Sequence, residues 1–597
     1  MEDGSHSFSM LHERSPEPQP QLPRQAGGWK AIKYILGNES FEKLASMSLI
    51  ANLTVYLNTQ YNMGGMLLVN VVNIWSGCSN IAPLAGAFIS DTYLGRFQTL
   101  LFGSIASFLG MGIVTLTAGI PQLRPPICTA QSLCLQPQIW QLGILFAGLG
   151  LLAVGAGGIR PCNIAFGADQ LDTTTEKGKK QLESFFNWWY FSFTIMLLIA
   201  LTGVVFVQNN ISWVLGFAIP TACLFMSILI FLLGKQTYIC KVPQGSIFVD
   251  MAKVIVAAYR KSGPTLVPAA SCYEPRLYNS QFQEDQCSGS KLARTERFKW
   301  LDKAALITDP SQLDPQGKPE DGWRLCSVQQ VEQLKCFLGI VPVWLSGIAC
   351  FIVMDQQNTY GILQAIQMNK SIGPHFSIPP AWMNLTSMIA LSTWILIYER
   401  VYIPLTKKTK KDKRNLRLSM QARIKIGIVM SILCMLVAGV VEKRRRDSAL
   451  RLQSFVSPLS VALLLPQLVL SGLTEAFAAV AIMEFLSTQM PESMRTIAGA
   501  IFFLSLSVAS YLSSVLASII RGLSGTNGRS AWVGDRDLNN GRLEYYYYTI
   551  AAFGVLNFLY FNFFASRDLL SRSVEVEEKV SGRTDQDKEE GMDMTKS

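Results

Sequence analysis

Asn38-Glu39-Ser40-Phe41-Glu42-Lys43 stands at the mouth of the first long apolar run, and Leu44 to Leu57 follow it without a charge. On a helix, Glu39 and Glu42 are three apart and Glu39 and Lys43 four apart, so all three share one face. Charged side chains at membrane depth are costly unless they look into a bundle or a wet cavity. Two readings follow. In one, two acids compete for a single cation, and one acid takes up and releases a proton. In the other, the triplet is an interfacial flank whose charged heads stay at the cytosolic surface. The first reading makes Glu39, Glu42 and Lys43 a proton-coupling set.

Outward from this stretch the same pattern recurs. The chain of 597 residues is 49% hydrophobic and only 16% charged, and apolar segments long enough for a bilayer return from end to end. The sequence predicts an all-α membrane protein with twelve transmembrane helices in two six-helix bundles. The spans fall near 39–60, 65–90, 97–119, 139–166, 184–207 and 213–233, then 334–355, 380–399, 421–441, 459–486, 496–519 and 545–566. Residues 1–30, with Pro16, Pro18, Pro20 and Pro23, read as a disordered cytosolic tail rather than a signal peptide. Residues 31–234 form the first bundle and 334–566 the second. Between them, 235–333 is a polar linker with an amphipathic piece at Arg297-Phe298-Lys299-Trp300-Leu301-Asp302-Lys303. The segment 567–597 is a second charged, disordered tail. Six spans, a linker and six more is the layout of a transporter built from two similar halves.

The net charge of +10 reads as the positive-inside bias of a membrane protein, not a nucleic-acid footprint. Basic residues in the linker and in Lys407-Lys408-Thr409-Lys410-Lys411-Asp412-Lys413-Arg414 place both termini in the cytosol. One cluster disagrees. Lys443-Arg444-Arg445-Arg446, after span 9, falls on the outer side. Asn210-Ile211-Ser212 and Asn369-Lys370-Ser371 are glycosylation sequons in outer loops, and Cys128 and Cys134 share the loop after span 3, as a local disulfide or as two free thiols. No cysteine pair has metal-ligand spacing, and no nucleophile elbow or phosphate loop appears, so neither an enzyme, a metal nor a cofactor is expected.

Few polar groups interrupt the spans. Arg160 lies late in span 4, in Gly155-Ala156-Gly157-Gly158-Ile159-Arg160-Pro161, where a cation attracts an anionic or hydrogen-bonding solute or else snorkels to the inner surface. Glu475 lies mid-way along span 10 with nothing nearby in sequence to neutralise it. Its economical partners are Lys43 or Arg160, in a pair that latches the halves and releases on binding. Asp355, at the end of span 7, reads as a solvated outer-edge residue. Asp91 and Arg96, in the short turn between spans 2 and 3, read as a gate or brace, with Glu484, Glu492 and Arg495 as its counterpart in the second half. The aromatic opening of span 5, Phe185 to Phe193, reads as an interfacial belt, or in part as the lining of a cavity suited to flat or glycosylated solutes.

Together, Glu39-x-x-Glu42-Lys43, Gly86 to Arg96, Gly157-Gly158-Ile159-Arg160-Pro161 with Phe166-Gly167-Ala168-Asp169-Gln170, Trp323 to Cys326, Glu475 and Asp537 to Gly541 resemble the plant nitrate/peptide transporter family. This is the proton-coupled oligopeptide branch of the major facilitator superfamily. The resemblance covers nearly the whole chain apart from the tails. It implies a twelve-helix fold with alternating access, proton symport and a small-molecule substrate. It gives the proton-coupling role to Glu39, Glu42 and Lys43, and substrate binding to Arg160, which stands where most members carry Lys, and to Glu475. Met354 occupies the position of one nitrate carrier's nitrate-binding His. Thr99 falls where one nitrate carrier is phosphorylated, which implies a kinase at the cytosolic face. Lys43, in place of the usual Arg, is similar to the branch that includes glucosinolate carriers, and it cannot fork to two carboxylates as Arg does. Ser46 and Met47 replace tyrosines common in peptide carriers, and Thr194-Ile195-Met196 stands where an Asn-x-Gly is usual. The expectation is a symporter of a glycosylated or anionic plant metabolite, with low-affinity nitrate transport as the alternative. A nutrient receptor and a pH-gated passive exporter are further alternatives. The plasma membrane is the expected location, and the vacuolar membrane the alternative.

Overall fold

The computed structural model describes residues 27–126, 135–171, 176–240, 247–261, 277–278, 292, 294–309, 312–314, 319–373, 376–409, 418–490, 495–525, 531–534 and 536–566. Cys128 and Cys134 lie outside them, as do Glu492 and the side chain of Arg495.

Among the described residues, ten helical stretches are long and apolar enough to cross a membrane. One of them, Gly65–Gly119, has 55 residues, about twice what a bilayer needs. It is two spans, Gly65–Ile89 and Gly95–Gly119, joined by a π turn at Ser90–Leu94 and redirected by Gly95 at φ +75°, a backbone that glycine adopts without strain. Span 1, Gly28–Gln60, is a further long helix outside those ten. It buries Asn38, Glu39, Glu42, Lys43, Asn52 and Thr54 as well as its apolar residues, because it faces protein more than lipid. Spans 4 and 6 are Ile139–Ala168 and Trp213–Leu233. Span 5, Glu176–Ile199, continues through a π turn to Asn210. The second half comprises span 7 (Val328–Gln356), span 8 (Met383–Ile397), span 9 (Met420–Arg451), span 10 (Leu465–Thr474, continuing through a π turn at Glu475–Ala479 into Val480–Gln489), span 11 (Arg495–Ser524) and span 12 (Leu543–Tyr560). All-α membrane architecture is therefore the observed fold class. The few strands are two-residue to four-residue pieces in the loops away from the linker.

Span 1 starts eleven residues earlier than the sequence predicts, so Glu39 lies about 16 Å into the helix at 1.5 Å per residue. Span 9 runs ten residues past its expected end at 441. The basic cluster that disagrees with the charge rule is therefore part of this helix and not of a loop. Spans 2 and 4 meet where Gly86 lies against the backbone of Gly157, and a Cβ at Gly157 would stand 2.9 Å from the carbonyl oxygen of Ala82. Small residues are what let membrane helices approach this closely.

The two halves touch unevenly. Away from the linker, one apolar core runs across both of them, joining Leu53, Tyr56, Met66 and Val69 to Val353, Tyr360, Leu538 and Tyr547. Toward the linker the apolar residues divide, with Ile35, Phe166 and Phe231 in the first half and Leu334, Ile424 and Phe485 in the second. Hydrogen bonds across the seam follow the sealed side: Thr359 to Asn73 at 3.1 Å, Ser514 to Asn70 at 3.0 Å and Ser507 to the carbonyl oxygen of Gly77 at 2.8 Å.

The linker docks on the second half. Its amphipathic helix is Ile247–Arg260, which buries Met251, Val254, Ala257 and Ala258. The expected amphipathic piece at 297–303 is a 3-10 helix, Lys299–Ala305, whose Leu301, Ala304 and Ala305 share that core. Lys335, 2% exposed, ties this unit to span 7 through Glu332 at 2.8 Å, Asp302 at 2.6 Å and the Thr295 carbonyl oxygen at 2.8 Å.

Candidate functional site

Glu39, Glu42 and Lys43 lie inside the first bundle. Lys43 Nζ stands 3.5 Å from Glu39 and 3.4 Å from Glu42, and none of the three side chains is more than 11% exposed. Glu39 and Lys43, four apart, share a helix face, while Glu42, the neighbour of Lys43 in the chain, is reached by the bend of the long lysine stem. Glu39 Oε2 and Trp189 Nε1 are buried without a hydrogen-bond partner. Trp189 on span 5 lies close enough to Glu39 for its indole N–H to act on that carboxylate.

Glu42 shares a small pocket of about 30 Å³ with Arg160, Ser79, Ser107 and Trp75. That space holds about one water. Arg160 does not snorkel to the surface. Its guanidinium donates to Asn80 Oδ1 at 2.9 Å and to the Ser79 carbonyl oxygen at 3.2 Å, and it lies 5.8 Å from the ring centre of Phe503 on span 11. A cation over an aromatic face is favourable at this distance, and here the contact bridges the two halves.

A larger cavity of about 330 Å³ lies beside this pocket, sharing Ile50 and Trp75 with it. Its polar lining comes from both halves: Thr54, Ser76 and Asn80 from the first, Asp355, Asn358, Asn384, Glu475 and Ser510 from the second. Met354 and Glu475 both reach this space. Glu475 forms no ion pair among the described residues, so it meets neither Lys43 nor Arg160 in this conformation. It opens a π turn in span 10, and π bulges inside helices recur at functional sites.

Asp355 is not an outer-edge residue. It lines the cavity, accepts a hydrogen bond from Ser510 at 3.0 Å, and keeps Oδ2 buried without a partner. The sequence carried a signal for it, a carboxylate at the end of an apolar run. The helix, however, continues through a π turn at Gln357–Gly361 to Ile366 and carries that position to the middle of the fold.

The brace differs from the sequence reading as well. Arg96 pairs with Asp169 at the end of span 4, not with Asp91, and also donates to the Ala165 carbonyl oxygen at 3.5 Å. Asp169 and Arg96 belong to separate motifs in the sequence, and only the packing of span 3 on span 4 joins them. In the second half, Glu484 pairs with Arg423 at the start of span 9. Thr99 is 6% exposed, and its hydroxyl donates to the Gly95 carbonyl oxygen at 2.9 Å. Asn210 and Asn369 are both exposed on the side away from the linker.

A family model described as the POT family matches residues 97–533. Protein NRT1/PTR FAMILY 2.8 of Arabidopsis thaliana is 58% identical over 93% of this chain and 97% of its own. Protein NRT1/PTR FAMILY 2.13 of the same plant is 43% identical over 91% of this chain and 87% of its own. Among solved structures, the POT family transporter PepTSo superposes with a TM-score of 0.64 at 17% identity, covering 92% of this chain and 99% of that one. An auto-inhibited POT family peptide transporter gives 0.62 at 16% identity, covering 90% and 97%. The chain is thus a membrane transporter and not an enzyme, and it belongs to the POT family, among the plant NRT1/PTR proteins.

Proposed function

We propose that this proton-dependent transporter is a symporter of an organic, glycosylated or anionic plant metabolite, working by alternating access. The observation that carries the reading is the buried triad whose Glu42 shares a one-water pocket with Arg160, beside a cavity lined by both halves. Two acids and two cations make the triad and Arg160 together formally neutral. Protonating one acid leaves an excess positive charge next to Arg160, and an anionic group entering the cavity restores neutrality. Each event therefore favours the other, which is what symport requires.

Cavity size supports an organic cargo. About 330 Å³ is within the range of sites for small organic molecules and far exceeds a nitrate ion. Asp355, Asn358, Asn384 and Glu475 are suited to the hydroxyls of a sugar, while Asn80 and Arg160 are suited to an acidic group. In this reading both termini and the linker face the cytosol, the plasma membrane holds the protein, and Asn210 and Asn369 are glycan sites. The sealed core lies on the outer side. Thr99 is a kinase site only when the start of span 3 loosens, because its hydroxyl is now internally bonded.

The test is uptake at acidic external pH with nitrate, dipeptides and a panel of plant glucosides, under an imposed proton gradient. Accumulation of a glucoside or organic anion above its external concentration supports the reading. Nitrate accumulation alone transfers the assignment to nitrate. Downhill equilibration of every solute removes symport in favour of a passive exporter or a receptor.

A further inference from the structure

Glu442 and Arg445 form an ion pair that lines neither the cavity nor the triad pocket. Both side chains are 0% exposed, on the extension of span 9 beyond its expected end. The pairing is two-pronged, Nε to Oε2 and Nη2 to Oε1, each at 2.8 Å, which fixes the guanidinium plane. Behind it, Gln364 donates to Glu442 at 2.8 Å, and Gln467 and Tyr547 donate to Gln364 at 2.9 and 3.2 Å. A burial of charge this complete needs an explanation that transport chemistry does not supply.

What the pair holds is the loop between spans 11 and 12. Arg445 Nη1 donates to Asn539 Oδ1 at 2.9 Å, and Arg446 donates to the Asn539 carbonyl oxygen at 3.0 Å. Asn539 Nδ2 donates to the carbonyl oxygens of Ser454 at 3.3 Å and Phe455 at 3.2 Å, and its amide donates to Asp537 at 2.9 Å. Each polar group of Asn539 is thereby engaged. Gln367 donates to the Arg536 carbonyl oxygen at 3.1 Å and accepts from Arg445 at 3.4 Å.

The other edge of this loop lies on the first half. Met66 N–H donates to the Gly534 carbonyl oxygen at 3.2 Å. The Arg536 side chain covers Gly64 so closely that a Cβ there would stand 2.7 Å from Arg536 Cβ. Among the described residues, the loop thus has many hydrogen bonds to the second half and a thin hydrogen-bonded contact, Met66 N–H to Gly534, with the start of span 2, beside the apolar packing of Val533 and Leu538 in the shared core. If the halves part on this side, the thin contact breaks and the loop leaves with the second half.

We propose that Arg445 and Asn539 are positioning residues for the gate on the side away from the linker: they hold Gly534 and Arg536 against Gly64 and Met66 so that this mouth closes. The inference rests on the alternating access proposed above. Lys at position 445 keeps the charge but not the fork, so it holds the loop less firmly.

The test is a cysteine pair, Gly64→Cys with Arg536→Cys, oxidised in the full-length protein and followed by its cross-linking rate and by uptake. The rate is compared among three backgrounds: otherwise wild type, Asn539→Ala and Arg445→Lys. The expected result is slower cross-linking by roughly fivefold or more in both variants, the scale of a typical coupling between sites. A second measurement is labelling of Thr54→Cys, in a chain with Cys78, Cys128 and Cys134 changed to Ser, by an impermeant thiol reagent applied to the side away from the linker. Asn539→Ala should speed it by a similar factor, whereas a merely structural loss would lower surface expression without changing the rate per molecule. If Arg445→Lys fails to reach the membrane, Gln367→Ala replaces it, since it leaves the Glu442–Arg445 pair intact. Unchanged cross-linking and labelling in these variants overturns the inference. Alternating access fails separately, if the cross-linked wild-type pair still takes up substrate.

Discussion

Glu42→Gln is the sharpest perturbation of the proposed mechanism, because Gln keeps the shape of the side chain and removes only the charge. Lys43 stands 3.4 Å from Glu42 and 3.5 Å from Glu39. At an effective dielectric of about 20, the attraction across 3.4 Å is about 5 kcal/mol. Losing it does not strand the lysine, since Glu39 is at nearly the same distance, so the fold should survive. The pocket then carries permanently the extra positive charge that a proton would bring. An anionic substrate should bind without the help of acid, and exchange across the membrane should continue. Uphill accumulation should vanish. A gradient of two pH units stores about 2.7 kcal/mol per proton, enough for about a hundredfold accumulation by a one-proton symporter. The variant should reach no more than the external concentration. Tracer uptake in vesicles, at internal pH 7.5 and external pH 5.5 and then with the gradient collapsed, measures the difference. Counterflow in the same vesicles measures exchange. Accumulation in Glu42→Gln that still follows the pH gradient would refute the reasoning.

Other perturbations bear on separate parts of the molecule. Arg160→Ala should weaken apparent substrate affinity tenfold or more, the scale of a lost charge-assisted hydrogen bond; a concentration series in uptake measures it, and unchanged affinity would make Arg160 structural. Lys335→Met leaves Glu332 and Asp302 without their shared cation, at a cost of about 3 kcal/mol, and should lower the melting temperature in detergent and expose the linker to protease, while a stability equal to wild type would count against the docking. Burial pushes the Cys326 thiol up to about 11, so at pH 7.5 its thiolate is scarce and maleimide should label it on the order of a hundredfold more slowly than an ordinary exposed cysteine. Fast labelling of Cys326, read by mass spectrometry, would mean that the linker core opens readily.

The sequence determined the membrane architecture because hydrocarbon imposes length and apolarity on every span separately, and each run can be read without its neighbours. The triad was legible for a similar reason: residues three and four apart meet on any helix. Tertiary structure decided the rest. Arg96 meets Asp169 because spans 3 and 4 pack closely, and no local pattern encodes that distance. Asp355 lines the cavity because a π turn extends span 7 past the point where its apolar run ends. Arg445 is buried because Glu442, Gln367 and Asn539 enclose it, and those partners lie up to 94 residues away in the chain. A partner's identity depends on how helices rotate about their axes and where their ends meet, and only the packed assembly sets those angles.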